Sequence, residues 1–391
     1  MSGVDLLAML PYWRLSAYYF AYFAFVGAFS PYFSLYLHSH RLSAADIAIL
    51  MSLMQVMRIV APSLWGWMAN RLGFRLPIVR ASALLSLAGF SIFFVADSFG
   101  ELVVAMALMS FFWSAALPLI ETETFAHLGA DAHRYGSIRV WGSVGFVATV
   151  LFLGHALDLL PVDSLLWVIA GVLVAILACA MMVPEAAAAP EHRKQVSLRG
   201  TLARPEVRAL LGACFLMAAA HGALYVFYSI HLVAHGYGKA LVGWMWTLGV
   251  LAEIVVFMLM PRIAQRWSMR DILLFSFGGA VVRFLLIGWG IDSLAVLVVA
   301  QVLHGVTFGA YHAAAIAMVN QWFPGRLQSH GQALYGSLSF GAGGMLGGLI
   351  SGYTWETLGA GWTYTLGSGF ALIGLVWLAY GWAAAGSSFR N

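Results

Sequence analysis

Apolar residues run along this chain in twelve blocks, at about 13–37, 43–69, 77–96, 99–126, 135–157, 163–183, 207–234, 240–261, 271–290, 293–322, 330–355 and 361–382. Each is long enough to cross a bilayer as a helix, which takes about 20 apolar residues. The pattern therefore predicts an all-α integral membrane protein with twelve transmembrane helices. The largest polar interruption lies between Pro184 and Arg208. It divides the chain into an N-terminal six-helix bundle over 1–184, a linker over 185–206 and a C-terminal six-helix bundle over 207–391.

Composition agrees with this reading and excludes others. The chain is 62% hydrophobic and 9% charged, with a mean hydropathy of +0.87. A soluble domain carries roughly a quarter charged residues, so this chain cannot cover a water-facing surface. The basic pI reflects loop arginines and gives no reason to expect nucleic acid. The two cysteines, Cys179 and Cys214, sit inside apolar blocks and suggest neither a disulfide framework nor a metal site. No cofactor is expected, and no nucleophile constellation or metal cluster points to an enzyme. The N-terminus has no signal-peptide pattern, since apolar blocks continue through the whole chain.

The basic residues also set orientation. Of the 20 Lys and Arg, fifteen fall at the termini, in the linker and in the loops of one face, two (Arg41 and Lys239) on the other face, and three inside spans. The positive-inside bias predicts that both termini are cytoplasmic.

The two halves repeat. At an offset of 195, Gly27–Ile47 falls on Gly222–Val242, with Gly27/Gly222, Ser34/Ser229, Leu37/Leu232 and His40/His235 in register. Arg71 and Arg75 fall on Arg266 and Arg270. Block five, RYGSIRVWGSVGF, is similar to block eleven, SHGQALYGSLSF, with one gap. Two like-oriented six-helix units imply a pseudo-twofold along the membrane normal, with a substrate site between the halves near the midplane.

Ionisable residues deep in apolar blocks are costly in lipid and mark functional sites by default. Blocks eight, nine and ten each carry one: Glu253, Arg283 and His304. They are read as an ion-coupling centre, in which a desolvated Glu253 binds and releases a proton and alternates between pairing with Arg283 and standing apart. The bland alternative is a static Glu–Arg pair. Gln301 shares a helix face with His304, and Phe308 and Tyr311 continue that face at i+4 and i+7, with His312 about 80° away. In the N-terminal half, Glu121 and Glu123 follow Pro118. Being two apart, they cannot face one cavity. Arg139 is the natural partner for either acid and also a fork for a carboxylate. Arg58, at the repeat position of Glu253, lies one turn from Gln55. His221 with Tyr225, and Tyr22 within an aromatic stripe, complete the candidate substrate contacts. Aromatic stripes at helical spacing are more often packing. The glycine-rich run Gly341–Gly348 allows close helix approach and is no nucleotide loop, because no strand or P-loop Lys accompanies it.

The loop after block two, with Gly66, Asn70, Arg71, Gly73 and Arg75, and its degenerate copy after block eight resemble the major facilitator superfamily. Asn70 stands where that pattern has Asp. The segments YGSIRVWGSVGF, AAHGALYVFYSIH, LGVLAEIVVF, MRDILL, VVRF and QVLHGVTF resemble the phenylpropionate permease group, relatives of sugar and nucleoside proton symporters. The resemblance implies a monomeric symporter of the bacterial inner membrane that takes protons and a small organic solute, with an aromatic carboxylate suggested by the group. It favours Glu121 over Glu123, places spans one and seven along the cavity, and puts a Glu, Arg and His set on spans eight to ten. This chain lacks the span-ten acid of the sugar symporters, which shifts proton carriage toward Glu253 and Glu121. The rivals are proton-driven efflux of a hydrophobic compound, import of a sugar or nucleoside, and a receptor without transport.

Overall fold

The computed structural model describes residues 10–186 and 199–384. Arg193, Lys194 and Arg390, which contribute to the charge bias, lie outside the described residues. Twelve helices are long and apolar enough to cross a membrane. They are α1 (Tyr12–Ser39), α2 (Ala44–Leu72), α3 (Leu76–Phe94), α4 (Phe99–Leu128), α5 (Asp131–Leu159), α6 (Ser164–Met182), α7 (Pro205–Ala234), α8 (Lys239–Ile263), α9 (Met269–Trp289), α10 (Leu294–Trp322), α11 (Gln328–Leu358) and α12 (Ala360–Trp382). Each expected block matches one helix to within a few residues. A capping box at Ser98 and Glu101 starts α4, and the Ser268 hydroxyl caps α9 by accepting from the Asp271 amide.

The helices fall into two compact units. One holds Met1–His40 and Val60–His192, the other Arg41–Ile59 and Arg193–Asn391. Contacts therefore divide the chain within α2, whereas the polarity pattern breaks only at the linker.

In the first unit α1 packs on α5 and α6, and α3 on α4 and α6. Small residues set the α1–α5 distance. A Cβ on Gly27 would meet the Phe146 carbonyl at 2.6 Å, and one on Gly145 would overlap the Phe20 carbonyl. The Tyr32 hydroxyl donates to the Val150 carbonyl at 2.7 Å across the same seam.

The second unit repeats this device. Gly222, the repeat mate of Gly27, lies on the backbone of Gly347, and Gly347 lies on Ala219, which brings α7 against α11. The glycines of α11 serve two faces. Gly343 and Gly347 meet α7, while Gly341, Gly344, Gly348 and Gly352 meet Ile59, Gln55, Ser52 and Ala48 of α2. The run Gly341–Gly348 is thus a double contact surface, in keeping with the close approach expected of it.

Two spans contain a π-helical segment. Gly305–Ala310 in α10 and Ser337–Gly343 in α11 are π-helical. Span α7 breaks at His221, where one helical segment ends at Ala220 and the next starts at Gly222.

A candidate ion-coupling and solute site

In the second unit Arg283 is fully buried. Its Nε donates to the Ala300 carbonyl at 2.8 Å, Nη1 to Thr307 Oγ1 at 3.2 Å, and Nη2 to Gln301 Oε1 at 3.3 Å. Nη1 also lies 3.4 Å from His221 Nε2. The Nδ1 of His221 sits 2.8 Å from the Met217 carbonyl. A carbonyl only accepts, so Nδ1 carries the proton and Nε2 offers its lone pair to Arg283. The break in α7 puts this imidazole in position. Among the described residues no carboxylate lies within ion-pairing distance of Arg283. Glu253 stands apart from Arg283 here, and the Arg283 donors go to Gln301, Thr307 and the backbone of α10.

Glu253 instead faces His304, with Oε2 and Nε2 3.8 Å apart. Glycine makes this approach possible. A Cβ on Gly309 would sit 3.3 Å from Glu253 Cγ, one on Gly249 would sit 3.2 Å from His304 Cδ2, and one on Gly305 would meet the Ala252 carbonyl at 2.6 Å. Helices α8 and α10 are therefore pressed together just where the acid and the imidazole meet. His304 Nδ1 and Gln301 Nε2 are buried with no hydrogen-bond partner among the described residues.

The π segment alters the expected stripe on α10. His304 stacks on Phe308 (5.2 Å, 17°), and Phe308 stacks on His312 (5.9 Å, 12°). The wider turn carries His312 into the column and moves Tyr311 out of it. Tyr311 is buried against Phe277 instead, its hydroxyl donating to the Cys214 carbonyl at 3.4 Å. His312 Nδ1 lies 2.9 Å from the Tyr335 hydroxyl.

An aromatic row leads to this centre. Trp246 lies 6.2 Å from Tyr225, and Tyr225 lies 6.0 Å from His221 in a stacked arrangement. Glu253, Arg283 and Arg58 are all within electrostatic reach of the Tyr225 hydroxyl. Arg58 and Gln55 thus stand with the second unit, on the α2 segment that runs along α11. Trp246 was not among the expected residues, although its signal is present: Trp246, Gly249 and Glu253 follow i, i+3, i+7 spacing on α8. Thr307 was also missed, and it lies three residues beyond His304.

The first unit holds a second cluster. The Tyr135 hydroxyl donates to Glu121 Oε1 at 3.0 Å. Arg139 lies over the Phe23 ring at 3.9 Å and the Tyr19 ring at 5.9 Å, a cation–π arrangement, and it feels the charge of Glu121. Among the described residues it forms no ion pair with Glu121 or Glu123, because Phe23 takes its guanidinium. Tyr22 is buried and stacked on Trp113 at 4.6 Å.

Glu123 points the other way, as its offset from Glu121 requires. It is fully buried, 3.6 Å from Arg75 Nη1 and 3.7 Å from His127 Nε2, and it accepts from the Ala186 amide. His127 Nε2 also reaches the Pro184 carbonyl at 2.9 Å, and the Arg75 amide donates to Glu185 at 3.0 Å. Glu123 therefore ties the end of α6 to the loop between α2 and α3, apart from Glu121 and Arg139.

Twelve apolar helices, with buried charge gathered among neutral donors and aromatic rings, define a multi-pass membrane transporter. The chain belongs to the MFS_1 like family, whose family model matches residues 12–366, within the major facilitator superfamily. Its relatives are transporters, and it is not an enzyme. It is 29% identical over 351 residues to a probable 3-phenylpropionic acid transporter of Escherichia coli (strain K12), covering 88% of this chain and 91% of that protein. It is 28% identical over 364 residues to a maltose permease of Geobacillus stearothermophilus, covering 92% and 91%. Among solved structures, a mutant form of the nucleoside transporter NupG superimposes with a TM-score of 0.85 at 16% identity, covering 96% of this chain and 100% of that one. That likeness establishes the fold.

Proposed function

We propose that this protein is a proton-coupled symporter of the bacterial inner membrane, with both termini cytoplasmic, importing a small aromatic carboxylate as a monomer. Alternating access would move the bundles 1–184 and 207–391 about the linker 185–206. The observation that carries the reading is the contact between Glu253 and His304 beside Arg283, which has only neutral partners among the described residues. An acid and an imidazole this near can exchange a proton through one bridging water or after a small closure, and the neighbouring fixed cation makes that exchange sensitive to an arriving anion. Arg58 would hold the carboxylate and Tyr225 the ring. Gln55, Gln301 and His221 support them, and Tyr22 is a packing neighbour in the first unit. Glu121 with Tyr135 is the second proton carrier, and Arg139 the second candidate clamp. Glu123 is assigned to the linker contact. The name of the Escherichia coli relative supports the aromatic carboxylate.

A second reading is import of a sugar or nucleoside. The unpartnered buried amide atoms of Gln55 and Gln301 favour it, since such groups suit hydroxyls. Uptake into proteoliposomes decides between the two. Labelled 3-phenylpropionate should accumulate under an inward proton gradient and stop accumulating with an uncoupler. Maltose or uridine accumulating in its place would favour the second reading. Accumulation that survives Glu253→Gln unchanged would remove Glu253 from coupling, and anion uptake unchanged in both Arg58→Ala and Arg139→Ala would remove the clamp.

A further inference from the structure

The first turns of α7 and the last turns of α12 enclose a groove of about 700 Å³. Its floor is set by a close approach, since a Cβ on Gly381 would lie 2.5 Å from the Ala209 Cβ. Ile373, Val376, Trp377 and Tyr380 form its wall, with Trp377 54% and Tyr380 73% exposed. In a membrane-spanning helix these exposed side chains face lipid, and Trp and Tyr near a helix end mark the interfacial layer. At the rim stands Arg208, the one charged residue lining the groove. It is exposed, and no carboxylate among the described residues lies within ion-pairing distance of it. The neighbouring Arg204 differs, because its Nη2 holds Glu206 at 2.6 Å. A second guanidinium, Arg270, lies 5.9 Å from the Trp382 ring, two residues beyond Tyr380 on α12.

The geometry points to a binding site for one anionic phospholipid, its phosphate on Arg208 and one acyl chain along Ile373, Val376 and Trp377. Charge complementarity selects the headgroup: a guanidinium at the membrane boundary binds a phosphate by paired charge-assisted hydrogen bonds. A lipid of net negative charge satisfies Arg208, whereas a zwitterionic one brings its own cation to the same rim. The apolar wall selects a lipid over free phosphate, because a small anion would leave the groove unfilled. The groove also lies at the end of the helices where the chain gathers its arginines, the membrane face on which anionic headgroups add to attraction.

The test is native mass spectrometry and thermal unfolding of the detergent-purified full chain, titrated with phosphatidylglycerol, phosphatidylcholine or inorganic phosphate. One phosphatidylglycerol is expected to be retained and to raise the unfolding temperature more than phosphatidylcholine does, with no effect of phosphate. Arg208→Gln should weaken that retention about tenfold or more, the loss expected for one charge-assisted contact. Ile373→Trp, which fills the groove and leaves Arg208 in place, should weaken it as well. Arg266→Gln, on the same face but outside the groove, should leave it unchanged. Equal losses in Arg208→Gln and Arg266→Gln would reduce the effect to general surface charge and overturn the site. So would retention unaltered by either groove variant, or a shift reproduced by phosphate alone.

Discussion

The Glu253 carboxylate stands 3.8 Å from the imidazole Nε2 of His304, at the point where Gly249, Gly305 and Gly309 let α8 and α10 close on one another. The acid and the imidazole form a unit distinct from Arg283, whose donors go to a carbonyl, a hydroxyl, an amide oxygen and a neutral imidazole.

If that unit is energetically real, the two residues are not independent. Glu253→Gln and His304→Gln should each destabilise the protein, and the double variant should cost less than the two changes together. A coupling of about 0.5–3 kcal/mol is expected for residues in contact. Chemical unfolding of the four proteins in detergent measures it. Strict additivity would show that the contact has no energetic content.

Arg283 should be among the least replaceable residues of the second unit. Arg283→Met leaves the Ala300 carbonyl, Thr307, Gln301 and His221 buried without their donor, at about 3 kcal/mol or more. Arg283→Lys keeps the charge but lacks the planar fork, and it should recover less than half of the loss. Unfolding midpoints for both variants check the order. A Lys variant as stable as the wild type would show that charge alone matters.

The glycines should separate sharply by what surrounds them. A Cβ on Gly347 would fall on the Ala219 backbone, while one on Gly278 meets nothing within 4 Å. Gly347→Ala should therefore cost about 3 kcal/mol, since the obstacle is main chain and cannot turn aside. Gly278→Ala should be neutral or stabilise by about 0.5–1 kcal/mol, from the lower backbone entropy of Ala. Thermal unfolding of the two variants side by side is sufficient.

Glu123 should act on the chain segment after α6. Glu123→Gln removes the charge that holds Arg75 and weakens the acceptor of the Ala186 amide. Hydrogen exchange over Val183–Ala186 should speed up about tenfold, the equivalent of one charge-assisted hydrogen bond. Exchange in α9 should not change, and a uniform increase across the protein would indicate global destabilisation instead.

The architecture was legible because span length and polarity are local properties, and the twelve blocks needed nothing beyond them. The helix-packing glycines were legible in part. Gly27 and Gly222 stood out as repeat mates, but only the folded chain shows both on neighbouring backbones. The opposed directions of Glu121 and Glu123 followed from helix geometry alone. Their partners did not, because Phe23 and Tyr135 compete for Arg139 and Glu121 through contacts between separate helices. The contact of Glu253 with His304 was not legible for a related reason. Opposite charge suggested Arg283, whereas the closeness of α8 and α10 is set by three glycines that carry no charge signal. The π turn left no mark in polarity at all, so the spacing rule for regular helices chose Tyr311 over His312.

That wide turn has a consequence for how α10 can behave. It stores one residue of slack between His304 and the rest of the helix. If the slack were drawn out, everything beyond Ala310 would rotate by about 100° relative to Glu253, one residue's step on a regular helix. Tyr311 would swing under Phe308 as His312 left the column, trading an imidazole for a phenol at its foot. The expected spacing and the observed one thus differ by that single step along one span.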